Sequence, residues 1–221
     1  MSLVYQHNIN EATRLAVWHI TETEDFFLKK VPLKKDVSHP HKRLQHLAGR
    51  YLLPFLFDGF PLHEILVADT RKPFLSSEQY HFSISHCGNY AAAIVSTRER
   101  VGIDIELVTD RIERIKHKFT TTDELFFFND EYRVFLEQFG LEKKMEQEFL
   151  TTIWSAKETI FKWYGEGQMD FKKHMQLNGA ISFPAGDQIA LPFLITKNEM
   201  RYFNVYAKLF GDFVLAWLHT H

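Results

Sequence analysis

The chain has 221 residues, 45% hydrophobic and 24% charged, which is enough for a substantial core and either one large domain or two small ones. A formal net charge of −2 excludes a global positive field that would draw the protein to nucleic acid or membrane, so any anionic ligand has to be held by a local cluster of Lys and Arg. The single cysteine, Cys87, excludes an intramolecular disulfide and a multi-cysteine metal site, and with no signal pattern over Met1 to His7 and no apolar run of membrane-spanning length it points to the cytoplasm.

In chain order, Leu15 to Ile20 reads as a strand, and Thr21 with Glu24 as a capping box for a short helix through Leu28. Pro32, Ser38 and Pro40 mark a loop. From about His41 to Phe55 the residues Leu44, Leu47, Ala48, Tyr51, Leu52 and Phe55 recur at helical spacing. Lys42, Arg43, His46 and Arg50 fall largely outside that stripe, as a solvated face or as cations for phosphate. Asp58-Gly59 and Pro61 mark a turn, Glu64 to Ala68 a strand, and Thr70-Arg71-Lys72-Pro73 a loop whose lysine precedes proline and so sits in extended backbone. Tyr80 to Ser85 alternates like a strand, His86 to Asn89 reads as a turn, and Tyr90 to Ser96 as a second strand. Its alanines, Ala91 to Ala93, leave room for close approach of another element or a ligand.

The stretch Val101-Gly102-Ile103-Asp104-Ile105-Glu106 alternates branched apolar residues with acids. In a strand both carboxylates emerge from one face. Two like charges that close must share a proton or find a cation, so the pair is a platform for a hard divalent metal or an ordinary exposed strand face. Beyond it Phe119 to Glu124 leads into a helix capped by Thr121 or Thr122, and Glu142 to Glu146 is a mixed-charge face. Phe149 to Tyr164 makes a second strong helix, stopped at Gly165 and Gly167, with Ile153, Ala156, Ile160 and Trp163 facing the core. The remainder is β-rich: Ala180 to Phe183, Ile189 to Leu191, and a final pair around Gly211-Asp212. Tyr80 to Tyr90 and Tyr202 to Phe213 share a strand, glycine turn, strand plan, which hints at two similar α/β halves meeting after about residue 105.

Glu158 and Lys162 are four apart and share a helix face. Alone they read as an ordinary ion pair. Added to Asp104 and Glu106 they make three carboxylates and a lysine, the ingredients of a Mg²⁺ site that handles phosphate.

Together these motifs resemble the Sfp-type 4′-phosphopantetheinyl transferase family. The resemblance rests on Gly102 to Glu106, on Trp154-Ser155-Ala156-Lys157-Glu158-Thr159-Ile160-Phe161-Lys162, and on Ser83-Ile84-Ser85-His86. Lys72-Pro73, and Arg43 with Ala48-Gly49-Arg50, support it. It implies an α+β fold of two similar α/β halves related by a pseudo-twofold, 1–105 and 106–221, with the active site at the cleft between them, in a monomer. It implies transfer of 4′-phosphopantetheine from coenzyme A to a serine hydroxyl of an acyl or peptidyl carrier protein, releasing 3′,5′-adenosine bisphosphate. Asp104, Glu106 and Glu158 match the ligands of Mg²⁺, with Mn²⁺ as the other candidate, and Glu158 also matches the residue that takes the serine proton. Lys162 matches the pyrophosphate contact. Arg43, Lys72, Ser85 and His86 match coenzyme A contacts, and Lys157 is a further contact or a surface residue. The family's aromatic, hydroxyl and glutamate segment is met by Phe119 to Glu124 with two acids, Asp123 and Glu124, and neither is placed in the site. Residues Arg111 to Lys118 are the candidate surface for the acidic carrier. The rivals are a metal-dependent phosphodiesterase or nuclease, which leaves Ser85-His86 unexplained and lacks a basic stripe, and a non-catalytic module that binds carrier proteins.

Overall fold

A computed structural model describes residues 2–32, 37–127, 132, 134, 137–138, 145–184 and 186–220. Helices and antiparallel sheets build two compact units: Met1–Ile105 with His219–His221, and Glu106–Leu218.

The first unit holds β1 (Leu3–Asn8), β2 (Thr13–His19), α1 (Glu24–Leu28), α2 (Pro40–Leu56), β3 (Leu66–Val67), β4 (Pro73–Phe74), β5 (His81–Cys87) and β6 (Tyr90–Ser96). Its main sheet runs β1-β2-β6-β5, antiparallel throughout. Helix α2 starts with Pro40 at its first position, where the missing N–H costs nothing. Its apolar stripe, Leu47, Ala48, Leu52, Leu53 and Leu56, packs with Trp18, Phe82, Ala91, Ala93 and Val95 of the sheet. The small residues of β6 therefore make room for this helix. Gly49 does the same on β5: a Cβ there would lie 2.5 Å from Cγ2 of Ile84.

Several sequence expectations shift here. The Thr21–Glu24 capping box does not form, because Thr21 Oγ1 meets Ser2 Oγ at 2.9 Å and Glu24 turns to Arg43. Helix α1 starts after Thr23, which makes no side-chain cap bond. The strand expected over Glu64 to Ala68 shortens to Leu66–Val67, because Leu62–Glu64 closes a 3₁₀ turn. Strand β1 was not signalled, since its side chains alternate between half-buried and exposed and give no apolar face.

Strand β7 (Arg100–Leu107) carries the division between the units, which falls after Ile105. The second unit continues with α3 (Arg111–Ile115), α4 (Thr122–Leu125), α5 (Met145–Tyr164), β8 (Met175–Leu177), β9 (Gln188–Ile195), β10 (Arg201–Leu209) and β11 (Phe213–Thr220). Its strands lie in the order β11-β10-β9-β8, antiparallel. Ile153, Ala156, Ile160 and Trp163 of α5 are buried as their spacing predicts, in one core with Leu191, Phe193, Val205, Ala207 and Ala216. The helix begins at Met145, before the expected Phe149; Glu142 to Lys144 lie outside the described residues. The strand expected over Ala180 to Phe183 reduces to a single bridge, Ser182 to Ala190. No helix among the described residues is long and apolar enough to cross a membrane.

Candidate functional site

In the first unit the site begins on β5. Phe82 and Ile84 pack toward α2, so strand alternation turns Ser83 and Ser85 to the opposite face. There Ile103 N donates to Ser83 Oγ at 3.2 Å, and Ser85 Oγ donates to Asp104 Oδ1 at 2.8 Å. The two serines thus hold β7 by its backbone and by its acid. Asp104 is 2% exposed, and a carboxylate that buried needs donors or a cation around it. The expected turn from His86 is displaced by two residues: β5 runs on through Cys87, and only Gly88-Asn89 form the turn. Gly88 has a φ of 47°, the left-handed backbone such a hairpin needs at its first turn position. Gln45 Nε2 donates to Gly88 O at 2.8 Å, tying the turn to α2. His86 sits exposed one position beyond Ser85.

The two expected phosphate cations of this unit are set differently. Arg43 grips Glu24 with both prongs, Nε to Oε1 at 2.7 Å and Nη2 to Oε2 at 2.8 Å, and Nη1 donates to Val37 O at 3.0 Å. That grip holds the Glu24 carboxyl below its ordinary pKa. An incoming phosphate would have to compete with Glu24 for Arg43. Lys72 follows Arg71, whose φ is 67°, in the β3–β4 turn. Burial, and then the charge of Arg100, bring its ammonium down to about 8. A bound anion beside it would restore the proton.

In the second unit Trp154 Nε1 donates to Glu106 Oε1 at 3.2 Å. The indole is itself held edge-on by Phe119, centroids 5.1 Å apart, and lies 5.3 Å from the ring of Phe171. The carbonyls of those same two phenylalanines accept from Lys157 Nζ, at 2.6 and 2.9 Å. The third donor of Lys157 goes to Glu124, with contacts of 2.9 Å to Oε2 and 2.7 Å to Oε1. Lys157 is fully buried and Glu124 is 2% exposed. Glu124 also accepts from Thr121 N, which completes a capping box at the start of α4, and from Leu177 N of β8, both at 2.9 Å. Burial pulls the Lys157 ammonium below its ordinary pKa, and Glu124 counters that pull.

This geometry bears on two sequence expectations. Lys157 is an interior residue, not a surface one, and a coenzyme A phosphate would have to displace one of its three protein acceptors. Glu124 has a definite structural place as the counter-ion of Lys157. Trp154 and Glu124 are the two residues the site gains over the sequence reading. The Thr121-x-x-Glu124 spacing, a capping-box signature, was the available signal for Glu124. For Trp154 the sequence held only its place in the motif.

Glu158 and Lys162 are half-buried one turn apart on α5, and Lys162 sits in the last turn, where a cation suits the helix dipole. Arg111 to Lys118 form α3 and a following 3₁₀ turn. Lys116 there pairs with Glu146 at 2.9 Å. Beside α3 a cavity of about 100 Å³ is lined by Glu106, Arg111, Ile112, Ile115, Trp154 and Thr151, whose buried hydroxyl has no hydrogen-bond partner among the described residues. The structure thus joins Ser85 to Asp104 and Trp154 to Glu106. Among the described residues, no group of three or more His, Cys, Asp or Glu side chains is gathered so as to hold a metal ion.

Over 122 residues the chain is 33% identical to Enterobactin synthase component D of Escherichia coli (strain K12), a match covering 55% of this chain and 54% of that protein. The protein of the same name from Salmonella typhi is 30% identical over 126 residues, 57% of this chain and 49% of its own length. The 4′-phosphopantetheinyl transferase AcpT of Escherichia coli (strain K12) is 28% identical over 134 residues, 60% of this chain and 64% of that protein. The chain therefore spans about half the length of the curated relatives it matches. Residues 100–217 match the 4′-phosphopantetheinyl transferase superfamily. That stretch opens on β7, with Asp104 and Glu106, and takes in all of α5, with Trp154, Lys157, Glu158 and Lys162; by it the chain belongs to the 4′-phosphopantetheinyl transferase superfamily.

Proposed function

We propose that this protein transfers the 4′-phosphopantetheine group from coenzyme A to a serine hydroxyl of an acyl or peptidyl carrier protein, releasing 3′,5′-adenosine bisphosphate. The observation that carries this reading is the superfamily match over residues 100–217, which spans the acidic strand and the motif helix in one stretch. In the reaction the serine oxygen attacks the phosphorus that bears the pantetheine. One P–O bond forms, the bond to the bisphosphate breaks, and the serine proton is taken up by a base.

Asp104, Glu106 and Glu158 would be the carboxylates that hold Mg²⁺, with Mn²⁺ as the other candidate, although no three such side chains stand ready-gathered among the described residues. An all-oxygen donor set suits a hard divalent cation, and the buried carboxylate of Asp104 fits a place where a cation adds stability. When bound, the ion neutralises the pyrophosphate charge that develops during transfer. This chain's own residues do the rest. Ser85 orients Asp104, and Trp154 orients Glu106, so each acid presents a fixed oxygen. Glu158 accepts the serine proton, directly or through water. Lys162 meets the pyrophosphate, and its positive charge stabilises the departing bisphosphate. Lys72, Ser85, His86 and Arg43 hold the nucleotide phosphates. Lys157 acts by positioning: it fixes the two phenylalanines that fix Trp154. The segment Arg111 to Lys118 offers basic groups to an acidic carrier. The protein works as a cytoplasmic monomer of two similar halves.

The test is direct. Incubated with coenzyme A, Mg²⁺ and an apo carrier protein, the protein should add one phosphopantetheine to the carrier, read by intact mass. Carriers of several pathways left unmodified would sink the reading.

A further inference from the structure

A second, separate cavity lies in the first unit, between α2 and the start of the β3–β4 hairpin. Its volume is about 140 Å³, and its lining includes Val31, Leu62, Ile65, Val67, His46 and Arg50. Most of the wall is aliphatic. Ile65 and Val31 are buried there, while Val67 is 60% exposed at the mouth and its neighbour Leu66 is 49% exposed. Among the described lining residues the charged exception is Arg50. One of its guanidinium nitrogens donates to His46 Nδ1 at 3.1 Å. Among the described residues it has no carboxylate partner, and burial alone holds its pKa below the ordinary value.

A guanidinium carries five N–H donors in a rigid fork that fits a carboxylate with two parallel bonds. Arg50 spends one of them on the His46 ring, and the described wall around it is otherwise aliphatic. A half-buried cation in such a wall is an unbalanced charge, and an anion entering the cavity would balance it. The cavity's size and its apolar wall restrict that anion. Sites for drug-sized ligands run from roughly 300 Å³ upward, whereas a cavity of about 150 Å³ holds a group of about six carbons. A highly hydrated ion such as free phosphate would leave the aliphatic wall unmatched.

We propose that this cavity binds a short-chain aliphatic monocarboxylate, its carboxylate gripped by Arg50 and its alkyl tail against Val31, Leu62, Ile65 and Val67. None of its lining residues is assigned to phosphopantetheine transfer, although Val67 pairs with Pro73, the neighbour of Lys72, and its occupancy does not depend on that activity.

Hexanoate is the probe, titrated into the whole protein by calorimetry and by ligand-observed saturation-transfer NMR, with hexanamide and inorganic phosphate as comparators. Hexanoate should bind, and hexanamide, which keeps the tail and loses the charge, should bind at least about tenfold more weakly, the range expected for a lost charged hydrogen bond. Arg50→Met should bring hexanoate down to the level of hexanamide. Val67→Trp, which fills the cavity mouth and leaves Arg50 in place, should block both; its melting temperature confirms folding if Arg50→Met proves unstable. The proposal is overturned if hexanoate and hexanamide bind alike, if phosphate matches hexanoate, if hexanoate binding survives both substitutions, or if no probe binds.

Discussion

Replacing Lys157 by methionine probes the interior of the second unit. The substitution keeps most of the side-chain volume and removes the ammonium. Glu124 then stays at 2% exposure with its two backbone donors and without its ion-pair partner, while the carbonyls of Phe119 and Phe171 each lose a donor. Breaking a buried ion pair from one side costs about 3–5 kcal/mol. The lost carbonyl bonds belong to the same network, so they are not added again. For a chain of this size about 1 kcal/mol moves the melting temperature by roughly 2–4 °C, so Lys157→Met should lower it by about 6–20 °C. Urea unfolding followed by tryptophan fluorescence is a suitable assay, because Trp154, Trp163 and Trp217 all lie in the second unit. The double variant Lys157→Met with Glu124→Leu removes both charges and should recover part of the loss. If Lys157→Met alone lies within about 1 kcal/mol of the wild type, as exposed pairs do, the ammonium is not a buried tie and the reasoning fails.

Three further outcomes follow from other parts of the molecule. Glu99 is buried, which by itself raises its pKa, but hydrogen bonds from Thr13, Asn10 and His219, and the charge of His219, bring it from an ordinary 4.5 down to about 2. A carboxyl lowered on folding adds stability above its ordinary value, lost as pH falls through 4.5 toward about 2. Glu99→Gln should therefore flatten the acid limb of the stability–pH curve; an unchanged limb would show that this network does not hold the first unit. Gly49→Ala places a methyl 2.5 Å from the branched, stiff Ile84 and should cost about 1–3 kcal/mol, with Ile84→Ala in the same chain restoring much of it; no loss in chemical denaturation would contradict the close packing of α2 on β5. Lys72 loses its charge near pH 8 in the free protein, so the KM for coenzyme A should rise as pH passes 8 and the rise should vanish in Lys72→Arg; identical pH profiles would remove Lys72 from the binding site.

Helices α2 and α5 were legible because each has a long apolar stripe at helical spacing, although on α2 the buried face turns toward Leu53 and Leu56 and leaves Phe55 exposed. The two hairpins were legible from Gly88-Asn89 and Gly211-Asp212. What local pattern could not give was anything settled by partners distant in sequence. Thr21 and Glu24 carry the letters of a capping box, yet Ser2 and Arg43 compete for them and win. Lys157 reads as a charged helix residue, and only the carbonyls of Phe119 and Phe171 make its burial tolerable. Strand β8, only Met175–Leu177, is too short to show a period, and its pairing with β9 defines it. Within the candidate site, Ser85 and Asp104 were legible as motif members, but their hydrogen bond was not, since it joins residues 19 positions apart.

The central claim is that one chemistry, metal-assisted phosphopantetheine transfer, uses the acids of β7 and α5 together. Transfer to an apo carrier, measured by intact mass in matched Mg²⁺ and chelated samples for the wild type, Asp104→Asn and Glu158→Gln, tests it most directly, with each variant shown folded by its melting curve. The account predicts modified carrier only for the wild type with Mg²⁺, and loss of transfer in both folded variants. Transfer that persists near the wild-type rate in Glu158→Gln, or that is unaffected by chelation, would contradict it.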